Sequence, residues 1–115
     1  EYKGREIIGF IEYVTIKGNN HKKKKVKARI DTGAEKSSID AKLAALLNLG
    51  PIIRRRLITS AHGHMMRPVM EAEISIGKTK MKSEFTIADR SHMKYKILVG
   101  QNILKKGFLI DPLKK

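Results

Sequence analysis

Two short stretches carry most of the information about the fold: Ile30-Asp31-Thr32-Gly33-Ala34 and Ile97-Leu98-Val99-Gly100. The first follows residues 22–30, where polar and apolar residues come to alternate, which predicts a half-buried β-strand. The second is an apolar run ending in glycine, and residues 100–106 after it predict a short helix. Asp-Thr-Gly alone is a weak signal, because an ordinary turn favours the same residue types. Its position at the end of a strand makes Asp31 a candidate site residue.

Most of the remaining chain predicts short strands, because β-branched and aromatic residues are grouped between turn signals. The predicted strands are residues 7–16, 22–30, 52–59, 65–76, 81–87, 95–99 and 108–110. One further helix is predicted after Asp40, a good N-cap residue. Leu43, Leu46 and Leu47 share one face of that helix, and Gly50-Pro51 is expected to end it. The pattern predicts a small barrel or sandwich.

Length and composition exclude several classes of protein. The chain has 115 residues, which predicts a single domain over residues 1–115. It has no Cys, which excludes disulfides, thiolate zinc sites and a Cys nucleophile. No apolar run approaches the roughly 20 residues of a membrane span, and no signal sequence opens the chain. We therefore expect a cytoplasmic domain without membrane contact.

The charge is strongly positive. Lys and Arg number 25 against 11 Asp and Glu, a formal net charge of +14. Such a field attracts polyanions and acidic peptides. Aromatic residues make up only 5% of the chain and Trp is absent, which argues against a surface that stacks single-stranded nucleic acid. A small nucleic-acid-binding barrel remains the weakest alternative, based on the basic residues 22–25 and 54–56.

In the order of these features the chain resembles the retropepsins, the single-domain aspartic proteases of retroviruses and their cellular relatives. The resemblance runs from about residue 11 to residue 110: Asp-Thr-Gly-Ala, a hairpin with a glycine at its tip, the stretch Ile-Leu-Val-Gly-Gln-Asn-Ile-Leu at residues 97–104, and a closing strand. Within that group it is most similar, at residues 105–112 especially, to prokaryotic proteins called ATP-dependent zinc proteases. Those proteins are linked with ATP-grasp enzymes that add glutamate.

The resemblance implies a mostly β fold, a small closed barrel with one or two short helices, and hydrolysis of peptide bonds. In this class two carboxylates share one proton. One takes a proton from a water molecule and the other protonates the carbonyl oxygen of the substrate. The chain has one Asp-Thr-Gly, so the second carboxylate is expected to be Asp31 of another copy. A homodimer through the catalytic loop and the termini is therefore expected.

The resemblance also implies roles for the neighbours of Asp31. Thr32 would join the two loops across the dimer axis, Gly33 would allow close approach of backbone and substrate, and Ala34 would keep the floor of the cleft small. Glu35 would bind substrate backbone or brace the dimer. Gly100 would pack beneath the catalytic loop. The expected substrate-binding residues on the flap, the hairpin that closes over substrate, are Ser60, Ala61, His62, Gly63 and His64.

Neither zinc nor ATP finds support in the sequence. It has no His-Glu-x-x-His and no phosphate-binding loop. His62 and His64 would need a third ligand from elsewhere, and two exposed loop residues are the simpler interpretation. We expect no metal and no cofactor.

One departure from the viral pattern keeps an alternative open. Viral members usually carry Arg directly after the second glycine, whereas this chain has Gln101, which cannot form an ion pair with Glu35. A weaker or differently built dimer is expected. The alternative function is a non-catalytic binding module for acidic, glutamate-rich chains that partners an ATP-grasp glutamate ligase.

Overall fold

The structure is a computed structural model that describes residues 1–61 and 63–114. The described elements follow in chain order: β1 (Glu6–Ile8), β2 (Ile11–Lys17), β3 (Lys23–Ile30), β4 (Ser37–Asp40), α1 (Ala41–Leu46), β5 (Arg54–Ser60), β6 (Gly63–Ile76), β7 (Thr79–Ala88), β8 (Ile97–Val99), α2 (Gln101–Leu104) and β9 (Phe108–Ile110). The predicted mostly β fold with short helices is confirmed.

The main sheet closes on itself. Its strands run in the order β2-β3-β8-β4-β7-β6-β5, and β2 also pairs with β6. Six strands therefore form a barrel, and β5 pairs only with β6 in this order, as the outer arm of a hairpin. β1 and β9 form a separate parallel two-stranded sheet. The closed barrel expected from the resemblance is confirmed.

The barrel interior follows from strand alternation, because successive side chains of a strand point to opposite faces. In β6, the residues Met70, Ala72, Ile74 and Ile76 are buried in the core, while the residues between them face outward. Full burial of a side chain as large as Ile or Met contributes about 1.5–3 kcal/mol. The same alternation in β3, β4, β7 and β8 places their non-core residues on one outer face.

Some boundaries differ from the predicted ones. The predicted strand at residues 7–16 is interrupted at Gly9-Phe10, where the amide of Gly9 donates to a carboxylate oxygen of Glu12 at 2.7 Å. Asp40 is the N-cap of α1, as predicted, and accepts from the amide of Lys42. The helix ends at Leu46, before Gly50-Pro51, because Asn48 adopts a positive φ of 53° that an α-helix cannot continue through.

Other predicted strands shift by a few residues. The two flap strands begin at Arg54 and Gly63 rather than at residues 52 and 65, and β8 begins at Ile97 rather than at residue 95. Among the described residues, no helix has the length and apolar character needed to cross a bilayer.

Candidate active site

Asp31 lies directly after β3. Its amide donates to the carbonyl oxygen of Val99 at 2.9 Å, which continues the pairing of β3 with β8 by one residue. One carboxylate oxygen of Asp31, Oδ1, accepts from the amide of Gly33 at 2.9 Å. The main-chain oxygen of Asp31 accepts from Ala34 at 3.3 Å. This Asx turn holds a half-buried carboxylate at the start of an otherwise mostly exposed loop.

The loop that follows Asp31 rests on the start of α2. The amide of Gln101 donates to the carbonyl oxygen of Ala34 at 2.7 Å, and the amide of Asn102 donates to that of Glu35 at 3.1 Å. The side chain of Gln101 also donates from Nε2 to the carbonyl oxygen of Thr32 at 2.8 Å. The carbonyl groups of Thr32, Ala34 and Glu35 are thus bound by two residues of one helix.

Gly100 lies in close contact with the same loop. A Cβ atom at this position would overlap the carbonyl group of Lys36 and approach the carbonyl oxygen of Ala34. Glycine is therefore required by space rather than by backbone conformation, because φ at Gly100 is an ordinary −105°.

A buried polar network, which the sequence analysis did not identify, supports this contact. The hydroxyl of Ser37 accepts from the amide of Gly100 at 2.9 Å and donates to Oδ1 of Asn102 at 2.7 Å. Asn102 in turn donates to the carbonyl oxygen of Glu84 at 3.0 Å. Ser37 is fully buried. Its position in the sequence, two residues before Ile39, gave no indication of this role.

The predicted hairpin with a glycine near its tip is present as β5 and β6, which pair Thr59 with His64 and Ser60 with Gly63. Thr59 Oγ1 and His64 Nδ1 lie 3.0 Å apart. Ala61 occupies the turn and is exposed. His62 lies outside the described residues. The chain thus brings Asp31, Thr32, Gly33, Ala34, Glu35 and Gly100 together, and it carries Ser60, Ala61, Gly63 and His64 at the end of the hairpin.

One ion pair lies on the sheet face beside this loop. Arg54 of β5 binds the two carboxylate oxygens of Glu84 of β7 through Nη1 and Nη2 of its guanidinium group. The hydrogen bond from Arg54 lowers the pKa of Glu84 below its ordinary value of 4.5 and outweighs the opposing effect of burial, while the positive charges of Arg54 and Lys36 lower this pKa further. Within the described residues there is no group of three or more His, Cys, Asp or Glu side chains able to hold a metal ion.

Comparison with known families gives a match over most of the chain. Residues 44–115 match the RimB-like family, described as the retropepsin-like aspartic endopeptidase RimB. Over 107 residues and 90% of its length, the chain is 28% identical to DNA damage-inducible protein 1 of Saccharomyces cerevisiae. It spans only 24% of that yeast protein.

Two solved structures share the fold. The crystal structure of a Legionella pneumophila protein of unknown function superposes with a TM-score of 0.67 at 21% identity, covering 96% of this chain and 95% of that one. The solution structure of the simian foamy virus protease superposes with a TM-score of 0.59 at 21% identity, covering 83% of this chain and 91% of that one. At this identity the likeness concerns the fold, and it agrees with the retropepsin-like resemblance of the sequence.

Proposed function

Because this chain belongs to the RimB-like family of retropepsin-like aspartic endopeptidases, we propose that it hydrolyses peptide bonds as a homodimer whose two Asp31 carboxylates activate one water molecule. The observation that carries the proposal is the Asp31 turn. Its main chain is bound to Val99, and its carboxylate is oriented by the amide of Gly33. Such fixed geometry is what a general acid or base needs.

In the proposed mechanism the two carboxylates share one proton, because like charges so close cannot both be ionised. The ionised carboxylate takes a proton from the water, and the bound water attacks the carbonyl carbon. The protonated carboxylate donates to the carbonyl oxygen as that carbon becomes tetrahedral. The two groups then titrate as a pair.

The residues around Asp31 have supporting roles in this proposal. Thr32 links the two loops across the axis, while Gly33 and Ala34 leave room for the substrate backbone. Glu35 contacts substrate backbone or the partner. Gly100 supports the loop from below, as its close contact with Lys36 and Ala34 suggests. On the flap, Ser60, Ala61, His62, Gly63 and His64 close over the substrate and exclude water.

The proposed substrates are acidic peptides or proteins. A net charge of +14 raises the local concentration of anionic chains. The proposed dimer forms through the loop after Asp31 and through the termini, where β1 and β9 already pair within one chain.

Replacement of Asp31 by Asn tests the chemistry. We expect wild type to cleave a glutamate-rich peptide and Asp31→Asn to be inactive, with an unchanged circular dichroism spectrum and unfolding midpoint. Equal turnover by the two proteins would rule out the mechanism.

Mixing the two proteins tests the dimer. With random exchange of subunits, activity should fall as the square of the wild-type fraction, because a competent site needs two intact copies. A linear fall would indicate a site completed within one chain. Sedimentation equilibrium should give a mass near twice the 13.0 kDa of one chain.

The positive charge also favours one other candidate, a non-catalytic module that binds glutamate-rich chains and partners an ATP-grasp glutamate ligase. Tight binding of acidic peptides by both wild type and Asp31→Asn, with cleavage by neither, would favour this function over hydrolysis.

A further inference from the structure

Two arginines lie on the same face of the barrel sheet as Asp31. Arg29 is directly opposite Leu98 in the β3–β8 pairing, and its neighbours in sequence, Ala28 and Ile30, are buried in the core. Arg29 therefore points away from the core. Asp31, two residues on and still paired with β8, falls on the same side, about 7 Å along the strand.

Strand pairing places Arg67 on the same face of the sheet as Arg29. Leu98 is opposite Ser38 of β4, which is opposite Thr86 of β7, which is opposite Val69 of β6. Residues in register share a face, so this row is the outer face that carries Asp31. Arg67 stands two residues before Val69 in β6 and lies on that face as well.

A third arginine, Arg90, covers this face. It is only 8% exposed. Its Nε donates to the carbonyl oxygen of Tyr95 at 3.0 Å, and its Nη1 donates to the hydroxyl of Ser38 at 3.5 Å. Burial lowers the pKa of Arg90 from its ordinary value, and the positive charges of Arg29 and Arg67 lower it further, whereas Asp40 raises it.

Asp40 does not neutralise the guanidinium of Arg90 directly. Its Oδ1 accepts from the main-chain amide of Arg90 at 2.7 Å, and its Oδ2 accepts from the amide of Lys42 at 3.2 Å. Both oxygens are thus occupied by main-chain amides, one at the start of α1, which Asp40 caps, and one in the segment after β7.

The positive charges of these arginines are not held in ion pairs within the part of the chain that the structure describes. Among the ion pairs of residues 1–61 and 63–114, none includes Arg29, Arg67 or Arg90. Arg56 is directly opposite Arg67 in the β5–β6 pairing, and like charges at such positions are destabilising. The Nε of Arg67 is buried without a hydrogen-bond partner. Burying charged and polar groups in this way is unfavourable unless a partner is supplied.

We propose that Arg29, Arg67 and Arg90 form a subsite that binds the carboxylate side chain of a glutamate or aspartate in the peptide substrate. The inference rests on the proposed endopeptidase function and names the residues that select its substrate. The planar guanidinium group of arginine suits a carboxylate because two parallel N–H groups can bind both carboxylate oxygens. An extended peptide advances about 3.3–3.6 Å per residue. When the scissile bond of the substrate lies at Asp31, an acidic side chain within about two residues of that bond would therefore reach the subsite.

The position of the cluster favours a peptide over nucleic acid. The three arginines form a compact group on a face that also carries the apolar Leu98 and the covered Val69, beside a carboxylate. A surface for nucleic acid would instead need an extended basic stripe with aromatic stacking partners, and this chain has only 5% aromatic residues.

Paired peptides that differ only by Glu or Gln test the subsite. We expect wild type to prefer the Glu peptide in kcat/KM by about tenfold to a hundredfold, the range for hydrogen bonds to a charged group. Arg29→Gln and Arg67→Gln should each lower this ratio of Glu to Gln by about tenfold. Lys105→Gln, a change of equal charge at the exposed C-cap residue of α2, is the control and should keep the ratio. Arg90 is left intact, because it is buried in the fold.

The outcomes separate this inference from the proposed function. Binding of the same peptides to Asp31→Asn, measured by fluorescence anisotropy, reports the subsite without cleavage. Wild-type cleavage with an unchanged Glu-to-Gln ratio in Arg29→Gln and Arg67→Gln would overturn the subsite alone. Selective binding of the Glu peptide that these changes abolish, without cleavage by wild type, would uphold the subsite and reject the endopeptidase. Displacement of the Glu peptide by equimolar inorganic phosphate would overturn the assignment to peptide carboxylates.

Discussion

Gln101 donates a hydrogen bond of 2.8 Å from Nε2 to the main-chain carbonyl oxygen of Thr32, across the loop that follows Asp31. A neutral side chain in this position cannot form an ion pair with Glu35, but it can bind a carbonyl group, and it does so within its own chain. The hydrogen bond therefore stabilises the conformation of the loop after Asp31 within a single chain.

Gln101→Leu removes this hydrogen bond while keeping a side chain of similar size. We expect a loss of about 0.5–1.5 kcal/mol in the free energy of unfolding, measured by urea denaturation, together with a lower kcat because the loop is held less firmly. Gln101→Arg, which keeps a donor of sufficient length, is the matched control. Equal stability and kcat in Gln101→Leu and wild type would contradict the role of this bond.

Gly100→Ala tests the close contact beneath the loop. The backbone conformation accepts Ala, so the effect comes from the added Cβ, which overlaps the carbonyl group of Lys36. We expect the free energy of unfolding to fall by about 1–3 kcal/mol and peptide cleavage to fall with it.

The control for this change is Gly4→Ala. Gly4 has open space around its Cβ position but a φ of +77°, so strain alone should cost about 1–2 kcal/mol, without loss of specific activity in the folded protein. Activity retained by Gly100→Ala would show that the loop tolerates displacement.

Ser37→Ala removes the buried hydroxyl between Gly100 and Asn102. The amide of Gly100 would lose its acceptor in a buried site, which should lower the free energy of unfolding by about 1–3 kcal/mol. Thermal and urea denaturation measure the effect. Ser75→Ala, at a half-buried position on the outward side of β6, is the comparison and should change stability by less than half as much. The network would be unimportant if the two variants were equally stable.

The sequence indicated the barrel because alternation and turn residues are local signals. Met70 to Ile76 alternate in the core, and Asp40 caps α1, where pattern and structure agree. The break at Gly9-Phe10 was not predicted, because β-branched and aromatic residues continue on both sides of it. The break arises because residues 6–8 pair with β9 in a separate sheet, whereas residues 11–17 belong to the barrel.

In the candidate site, too, features carried by neighbouring residues were predicted, and features that depend on strand pairing were not. The Asp31 motif was recognised from contiguous residues, and the location of Gly100 beneath it followed from a family resemblance. The grouping of the three arginines of the proposed subsite was not predicted. Arg29, Arg67 and Arg90 are far apart in sequence and become neighbours only through the register of β3, β8, β4, β7 and β6. In sequence they are three of 25 basic residues, so composition could suggest acidic substrates without showing which residues bind them.

Salt should weaken the selection of acidic substrates. We expect KM for a glutamate-rich peptide to rise steeply as ionic strength increases, because exposed charges are screened beyond about 10 Å at about 0.1 M salt. The glutamine-substituted peptide is the control, and its KM should change little. Parallel salt dependence of the two peptides would indicate that charge attraction does not contribute to recognition.

Arg54→Met should change how stability depends on pH. In the folded protein the pKa of Glu84 lies below 4.5, chiefly because of the hydrogen bond from Arg54. The stabilisation linked to this ionised carboxylate is therefore present above about pH 4.5, and it is lost as the pH falls through the lowered folded pKa. Without Arg54 the pKa of Glu84 should return toward its ordinary value, so the variant should be less stable than wild type near neutral pH and approach it in acid.

Urea denaturation from pH 3 to pH 7 measures this difference. Arg55→Met is the matched control, since Arg55 is the next residue of β5, is also exposed, and lies on the opposite face, in register with Pro68. Both changes remove one positive charge, so a general effect of net charge would appear in both. If the Arg54→Met and Arg55→Met curves stayed parallel over the whole range, the ion pair between Arg54 and Glu84 would not control the pKa of Glu84. A gap between them that is constant above about pH 4.5 and closes as the pH falls below that value would trace the pH dependence to this pair.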